Sequence, residues 1–156
     1  QDHAEARRMF SLAAAQGDAK AQFALALMYY NGQGGPEDHA KARRLFGLAA
    51  AQGHVNSQYW LATMHHNGEG GPQDHAEARR LFGQAAAQKH VTSQYSLACM
   101  QYDGEGGPQD HAEARRLFGL AVAQGHVDSQ YWLANMHHNG EGGPQDHAEA
   151  RRLFGL

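Results

Sequence analysis

The chain of 156 residues has one cysteine, Cys99, so it cannot form an internal disulfide and nothing marks an oxidising compartment. No run approaches the ~18 apolar residues of a membrane span, and the first residues lack the basic and apolar regions of a signal peptide. Neither charge dominates. Thirteen Lys and Arg against 16 Asp and Glu leave a net charge of −3, so no positive field recommends nucleic acid or an anionic membrane. The signatures of common catalytic sites are missing as well: SxxK, HExxH, CxxC, GxSxG and GxxxxGK do not occur. Aromatic residues make up only 9%, and the 42% hydrophobic content comes heavily from alanine, which suits closely stacked short helices better than a sheet. Histidine, by contrast, is plentiful, and protonation of all 12 reverses the sign of the charge within the imidazole range.

What is present is repetition. The same phrase opens at Asp2, Asp38, Asp74, Asp110 and Asp146, 36 residues apart, giving units at 2–37, 38–73, 74–109 and 110–145 and a partial one at 146–156. A period of that length marks an array whose units bury their apolar faces by stacking on neighbours, and we read one solenoid domain over 1–156. The chain begins at a repeat boundary and stops inside a helix, as a segment of a longer array would.

Each unit divides into two helices. The opening Asp can accept from free amides of a first turn, and Glu three residues later (Glu5, Glu77, Glu113, Glu149) suits the positive end of the helix dipole; Lys41 replaces it in the second unit. The preceding Pro (Pro36, Pro72, Pro108, Pro144) stops the earlier segment. Ala42, Leu45, Phe46, Ala49 and Ala50 then follow one helical face, defining helix A. Gly17, Gly53 and Gly125 end it in the left-handed conformation; Lys89 stands there in the third unit, where a less clean end is expected. Helix B, such as 55–67, carries Ser57, Leu61 and Met64 at helical spacing with Tyr59, Ala62 and His65 at the edges. It closes at NGEGGPQ or a near variant. That loop follows a helix and has no adjacent Lys, so it reads as a helix-to-helix turn and not a phosphate cradle.

The pattern AxxxF, then AAxQG, then SQYxLAxMHxNGxGxPQD resembles the Sel-1-like repeat, a relative of the tetratricopeptide repeat, over the whole chain. The resemblance implies an all-α fold, a right-handed superhelical α/α solenoid with helix A on its concave side, and a role as a non-catalytic scaffold or adaptor for proteins or peptides. Three departures stand out: Leu-Phe in place of two large aromatics, Ala26, Ala62, Ala98 and Ala134 where helix B usually has Gly, and Gly before Pro where Val is usual. Some relatives bear paired cysteines or are described as acting on β-lactams, but this chain has no such cysteine pair and no motif for that chemistry.

Candidate binding residues emerge from comparing the units. The second and fourth differ at only four of 36 places. Across all four units the most varied helix B places are Lys20/Asn56/Thr92/Asp128, Ala24/Trp60/Ser96/Trp132 and Leu27/Thr63/Cys99/Asn135, spaced i, i+4, i+7 on one face. This face is expected to be untouched by neighbouring units, with Trp60 and Trp132 at least partly exposed as interface anchors beside Asn56, Asp128, Thr63 and Asn135. A second candidate is a ladder formed by Arg8, Arg44, Arg80, Arg116 and Arg152, which could grip carboxylates of an extended peptide. Its plainer alternative is a solvated face paired with Glu three residues earlier, worth ~0.3 kcal/mol per pair. Gly47, Gly83, Gly119 and Gly155 lie in the same helices, each costing about 1 kcal/mol relative to Ala, which suggests close approach by a neighbour or ligand.

The competing reading is a histidine-rich metal-binding or pH-responsive module. His66 and His138 end helix B, His75 and His147 open the next helix A, and Glu69 or Glu141 lies in the loop, an imidazole and carboxylate set suited to zinc, nickel or copper. Adjacent histidines on a helix point about 100° apart, and nothing in a nine-residue separation enforces chelating geometry, so neither metal nor cofactor is expected. Finally, Leu153, Phe154 and Leu156 form an apolar face with no following helix B, which predicts end-to-end contact between molecules.

Overall fold

The computed structural model describes residues 2–155. Among them nine helices follow in order: α1 (His3–Ala15), α2 (Ala19–Tyr30), α3 (His39–Ala51), α4 (Val55–Asn67), α5 (His75–Ala87), α6 (Val91–Asp103), α7 (His111–Val122), α8 (Val127–Asn139) and α9 (His147–Phe154). There is no strand among the described residues. The fold is an all-α helical repeat solenoid. Two compact units divide it, Gln1–Leu81 and Phe82–Leu156, with the division inside α5. In the first, α1 packs on α2, α2 on α3 and α3 on α4; in the second, α6 packs on α7, α7 on α8 and α8 on α9.

Helix starts follow from the capping residues. The carboxylate of Asp38 accepts from the Lys41 amide at 2.9 Å, and Asp110 and Asp146 do the same for Glu113 and Glu149. Helix B has a cap that the sequence did not suggest. The Nδ1 atoms of His54, His90 and His126 accept from the amides of Ser57, Ser93 and Ser129, each at 3.2 Å, and an acceptor at Nδ1 requires the ring to be neutral. Burial lowers the pKa of His54 and His90 accordingly.

Helix A ends alike in the second and third repeats. The His54 amide bonds to the Ala49 carbonyl and the Gly53 amide to that of Ala50, the paired bonds of a left-handed C-terminal turn with Gly53 at φ 83°. The expected ragged end at Lys89 is not found. The same two bonds close α5, and Lys89 itself adopts φ 64°, a strain of roughly 1–2 kcal/mol that the turn imposes on a side chain.

The cores repeat. In the first unit Ala42, Leu45, Phe46 and Ala49 of α3 meet Leu61, Ala62 and Met64 of α4; in the second, Ala114, Leu117, Phe118 and Ala121 meet Leu133, Ala134 and Met136. Ala26, Ala62, Ala98 and Ala134 are fully buried, so a small side chain is what lets the helices approach. Gln22, Gln58 and Gln94 are buried with them, and Gln22 turns its amide to the carbonyl of Ala14 at 3.3 Å, adding a side-chain donor to a carbonyl in the C-terminal turn of helix A that also accepts from the Gly17 amide. Gln52 and Gln124 in turn donate to the side-chain oxygens of Gln22 and Gln94, at 2.9 and 2.8 Å, tying the second repeat to the first and the fourth to the third.

Candidate protein-interaction surfaces

In the first, second and fourth repeats the first arginine of the helix A pair donates to the glycine-rich loop. Arg43 donates to the carbonyls of Glu69 at 3.1 Å and Pro72 at 3.0 Å, and its guanidinium lies 2.8 Å from His65 Nδ1. Arg115 does the same with Glu141, Pro144 and His137. The second loop glycine lies directly on the first turn of helix A: a Cβ at Gly70 or Gly142 would strike the carbonyl of His39 or His111. These glycines also have φ of 66° and 68°, so both space and backbone demand the absence of a side chain. Facing Arg43 and Arg115, the rings of His65 and His137 must accept at Nδ1; burial first, then the neighbouring guanidinium, holds their pKa values below the ordinary level. Nothing in the sequence marks these arginines off from the second arginine of each pair.

The second arginines face outward. Arg8, Arg80, Arg116 and Arg152 pair with Glu5, Glu77, Glu113 and Glu149 at 2.8, 2.6, 2.6 and 2.5 Å, the plainer of the two expected arrangements. Arg44, with Lys41 three residues before it, has no carboxylate partner among the described residues. The mid-helix glycines are not explained by close approach: an added Cβ at Gly47, Gly83 or Gly119 would have nothing within 4 Å. Gly155 is not mid-helix at all, since it ends α9 at φ 75°. The bare backbone lies beside exposed leucines. Leu12, Leu48 and Leu120, each four residues after an outward arginine, are 60%, 48% and 40% exposed. In the second unit this face borders a cavity of about 560 Å³ whose floor includes Gly83, Ala86 and Leu117 and whose walls include Glu113, Arg116 and Leu120.

The varied face of helix B is less open than expected. Trp60 and Trp132 are half-buried, stacked on Phe46 and Phe118 with centroids 5.8 and 5.7 Å apart. The preceding repeat also reaches them, because Tyr30 and Tyr102 set an edge against these indoles at 5.2 Å. The expectation that no neighbouring unit touches this face is therefore corrected: the aromatic step between repeats runs through it. Asn56 and Asp128 are exposed. Thr63 and Asn135 are half-buried and donate back to the carbonyls of Tyr59 and Tyr131 at 3.0 and 2.9 Å.

The histidines nine apart do meet. His66 and His75 rings lie 4.9 Å apart, as do those of His138 and His147, so the loop enforces a geometry that the sequence separation left open. At the same place Tyr30 stacks on His39 at 4.7 Å and Tyr102 on His111 at 4.6 Å. The Tyr30 hydroxyl donates to Glu69 at 2.8 Å, which raises the pKa of the phenol. Glu69 is held below the ordinary carboxylate value by bonds from Asn67 and then Tyr30. At the C-terminal end, Leu153 is buried, and the Gln130 amide donates to its carbonyl, so α8 already covers part of the face that was expected to be bare. Phe154 is 39% exposed, while Leu156 lies outside the described residues.

Together these features define a class: a helical repeat solenoid whose polar side chains are spent on capping, loop closure and repeat-to-repeat ties. Within that class the chain belongs to the Sel1 repeat family, whose model matches residues 1–18, 19–54, 55–90, 91–126 and 127–156, and whose members generally serve as protein-interaction scaffolds. Among solved structures, it is similar to a protective antigen of uropathogenic Escherichia coli strains that displays an SLR fold, with 32% identity and a TM-score of 0.91 over 96% of this chain and 32% of that one. It is also similar to a Sel1 repeat protein from Oxalobacter formigenes, with 25% identity and a TM-score of 0.85 over 96% of this chain and 59% of that one. The chain thus spans less than two thirds of either. No curated protein gives a significant match. No described helix is long and apolar enough to cross a membrane.

Proposed function

We propose that the chain is a non-catalytic adaptor that binds an extended peptide segment of another protein on the outward face of its A helices. The observation that supports this most directly is the exposed Arg-Gly-Leu set, Arg44, Gly47 and Leu48 in α3 and Arg116, Gly119 and Leu120 in α7. Each arginine stands one turn from open backbone and an exposed leucine, and a cavity adjoins the α7 set. Such a surface suits a ligand with alternating acidic and aliphatic side chains: guanidinium binds carboxylate in a bidentate manner, and leucine beside glycine offers apolar area without steric obstruction. Arg8, Arg80, Arg116 and Arg152 would exchange their intrahelical glutamates for the ligand, whereas Arg44 has no carboxylate partner among the described residues to give up. The helix B face with Trp60, Trp132, Asn56, Asp128, Thr63 and Asn135 is the second candidate surface, and Phe154 offers a site for end-to-end association between molecules.

A panel of fluorescent acidic-aliphatic peptides, read by anisotropy, tests the reading. We expect Arg116→Glu with Leu120→Glu to abolish binding while the helical circular dichroism is kept. Binding that survives this pair and disappears with Trp60→Ala and Trp132→Ala would move the site to helix B. Failure of every peptide to bind would overturn the proposed ligand chemistry.

A further inference from the structure

The histidine pairs at the loop end of the even repeats have a use that the adaptor role does not require. His138 ends α8, His147 opens α9, and two hydrogen bonds fix the chain between them: the Asp146 amide donates to the His137 carbonyl and the Gln145 amide group to the His138 carbonyl, at 2.8 and 2.7 Å. The Asp146 carboxylate caps α9 as well, which sets the direction in which His147 leaves the backbone. The two Nδ1 atoms come to 3.3 Å. One ring can donate to the other at this distance, and the same spacing suits a shared ion, since two nitrogens each about 2.0–2.1 Å from one tetrahedral ion stand roughly 3.3–3.4 Å apart. Both rings are exposed and line a cavity of about 270 Å³ with Ala150, Arg151 and Phe154, so an ion has a route in and room for further ligands.

In the first unit the ring separation and the loop bonds recur, with both rings half-buried and His66 Nδ1 also 3.2 Å from Asn67 Oδ1. His66 and His75 have the same ring separation with an interplanar angle of 57° against 61°, and the Asp74 amide and the Gln73 side chain make the same two bonds to the His65 and His66 carbonyls, at 2.8 and 2.7 Å. The odd repeats offer an internal control, because Tyr30 and Tyr102 occupy the helix B position and leave His39 and His111 without a second imidazole.

We propose that His138 with His147, and His66 with His75, each bind a divalent transition-metal ion of the zinc, nickel and copper class through their imidazole nitrogens. Imidazole suits these ions, and a two-histidine site leaves positions open for water or a carboxylate. In the second unit Arg151, on the wall of the same cavity, favours an anionic ligand there and disfavours a bare cation. Such a site is a docking point for an acidic group and not a buried structural centre.

Calorimetric titration of the full chain with zinc and with nickel, in a buffer free of competing ligands, tests this. Two ions should bind per chain, His147→Ala should remove one, His75→Ala the other, and the double variant both. Tyr102→His, which places an imidazole opposite His111, should add a third. Unchanged stoichiometry in His147→Ala and His75→Ala would show adventitious binding to the remaining histidines only, and absence of saturable binding in the wild type would equally overturn the proposal. Because no peptide is present, either result leaves the adaptor reading to be judged separately.

Discussion

The loop end and the outward face of helix A use the same two residue types for opposite ends. At the loop end, Gly70 is pressed on the His39 backbone and Arg43 is consumed by two carbonyls and a ring nitrogen. One position further along the same helix, Arg44 points outward without a carboxylate among the described residues, and an added Cβ on Gly47, three residues beyond it, would meet nothing within 4 Å. Neighbouring residues in one helix thus differ in whether their environment is finished. A closed polar environment stabilises and resists change, whereas an open one is available to a ligand.

The largest effect should come from the closed side. Gly70→Val must place a side chain at φ 66° against a carbonyl and is expected to destabilise by on the order of 3 kcal/mol, read as a lowered urea midpoint. A loss below about 1 kcal/mol would mean that the loop can lift off helix A without consequence. Next comes Arg43→Ala, which orphans two loop carbonyls and the His65 nitrogen and should cost roughly 2 kcal/mol. Arg44→Ala, one residue along, should stay within about 0.5 kcal/mol. Equal effects of the two would erase the distinction between the sides.

Acid provides a third contrast. His54, His65, His90 and His137 are all held below the ordinary imidazole value, chiefly by burial. Each stays neutral in the fold while the unfolded chain takes up its proton, so the stability each lends is complete above pH ~6.5 and is lost as pH falls through the folded value. Thermal midpoints should therefore drop between pH 7 and 5, and His65→Gln, which keeps an acceptor for Arg43, should flatten that drop. An unchanged slope would mean that His65 does not report on loop closure. The smallest effect belongs to the open side: Gly47→Ala meets no neighbour and should raise stability by about 1 kcal/mol, as measured by the same urea midpoint. If it also weakens peptide binding, the bare backbone is part of the recognition surface.

The paired helices, the Asp caps and the Leu45 and Phe46 core stripe were all legible in the sequence, because each depends on residues within a few places of one another. What escaped was set by partners elsewhere. The two arginines of a pair look alike in sequence, and only the return of the loop more than twenty residues later makes Arg43 internal and Arg44 external. Trp60 looked like a free surface anchor because its variability was visible and Tyr30, which touches it from the previous repeat, was not. His66 and His75 looked unrelated for the same reason: the bonds from Asp74 and Gln73 that bring them together belong to a folded loop. One signal was available. Three glycines and a proline after every helix B point to backbone in close contact, and something charged had to meet the carbonyls left over.

The loop clamp also bears on how quickly such a chain can find its structure. Arg43 closes segments of 22 to 29 residues, and the Tyr30 to Glu69 bond spans 39. Closure over such short stretches carries a small entropic penalty and keeps contact order low, a regime associated with rapid folding. A repeat can therefore shut as soon as its own loop has been synthesised, its arginine capturing the carbonyls before the rest of the array exists, so that assembly proceeds in the direction of translation.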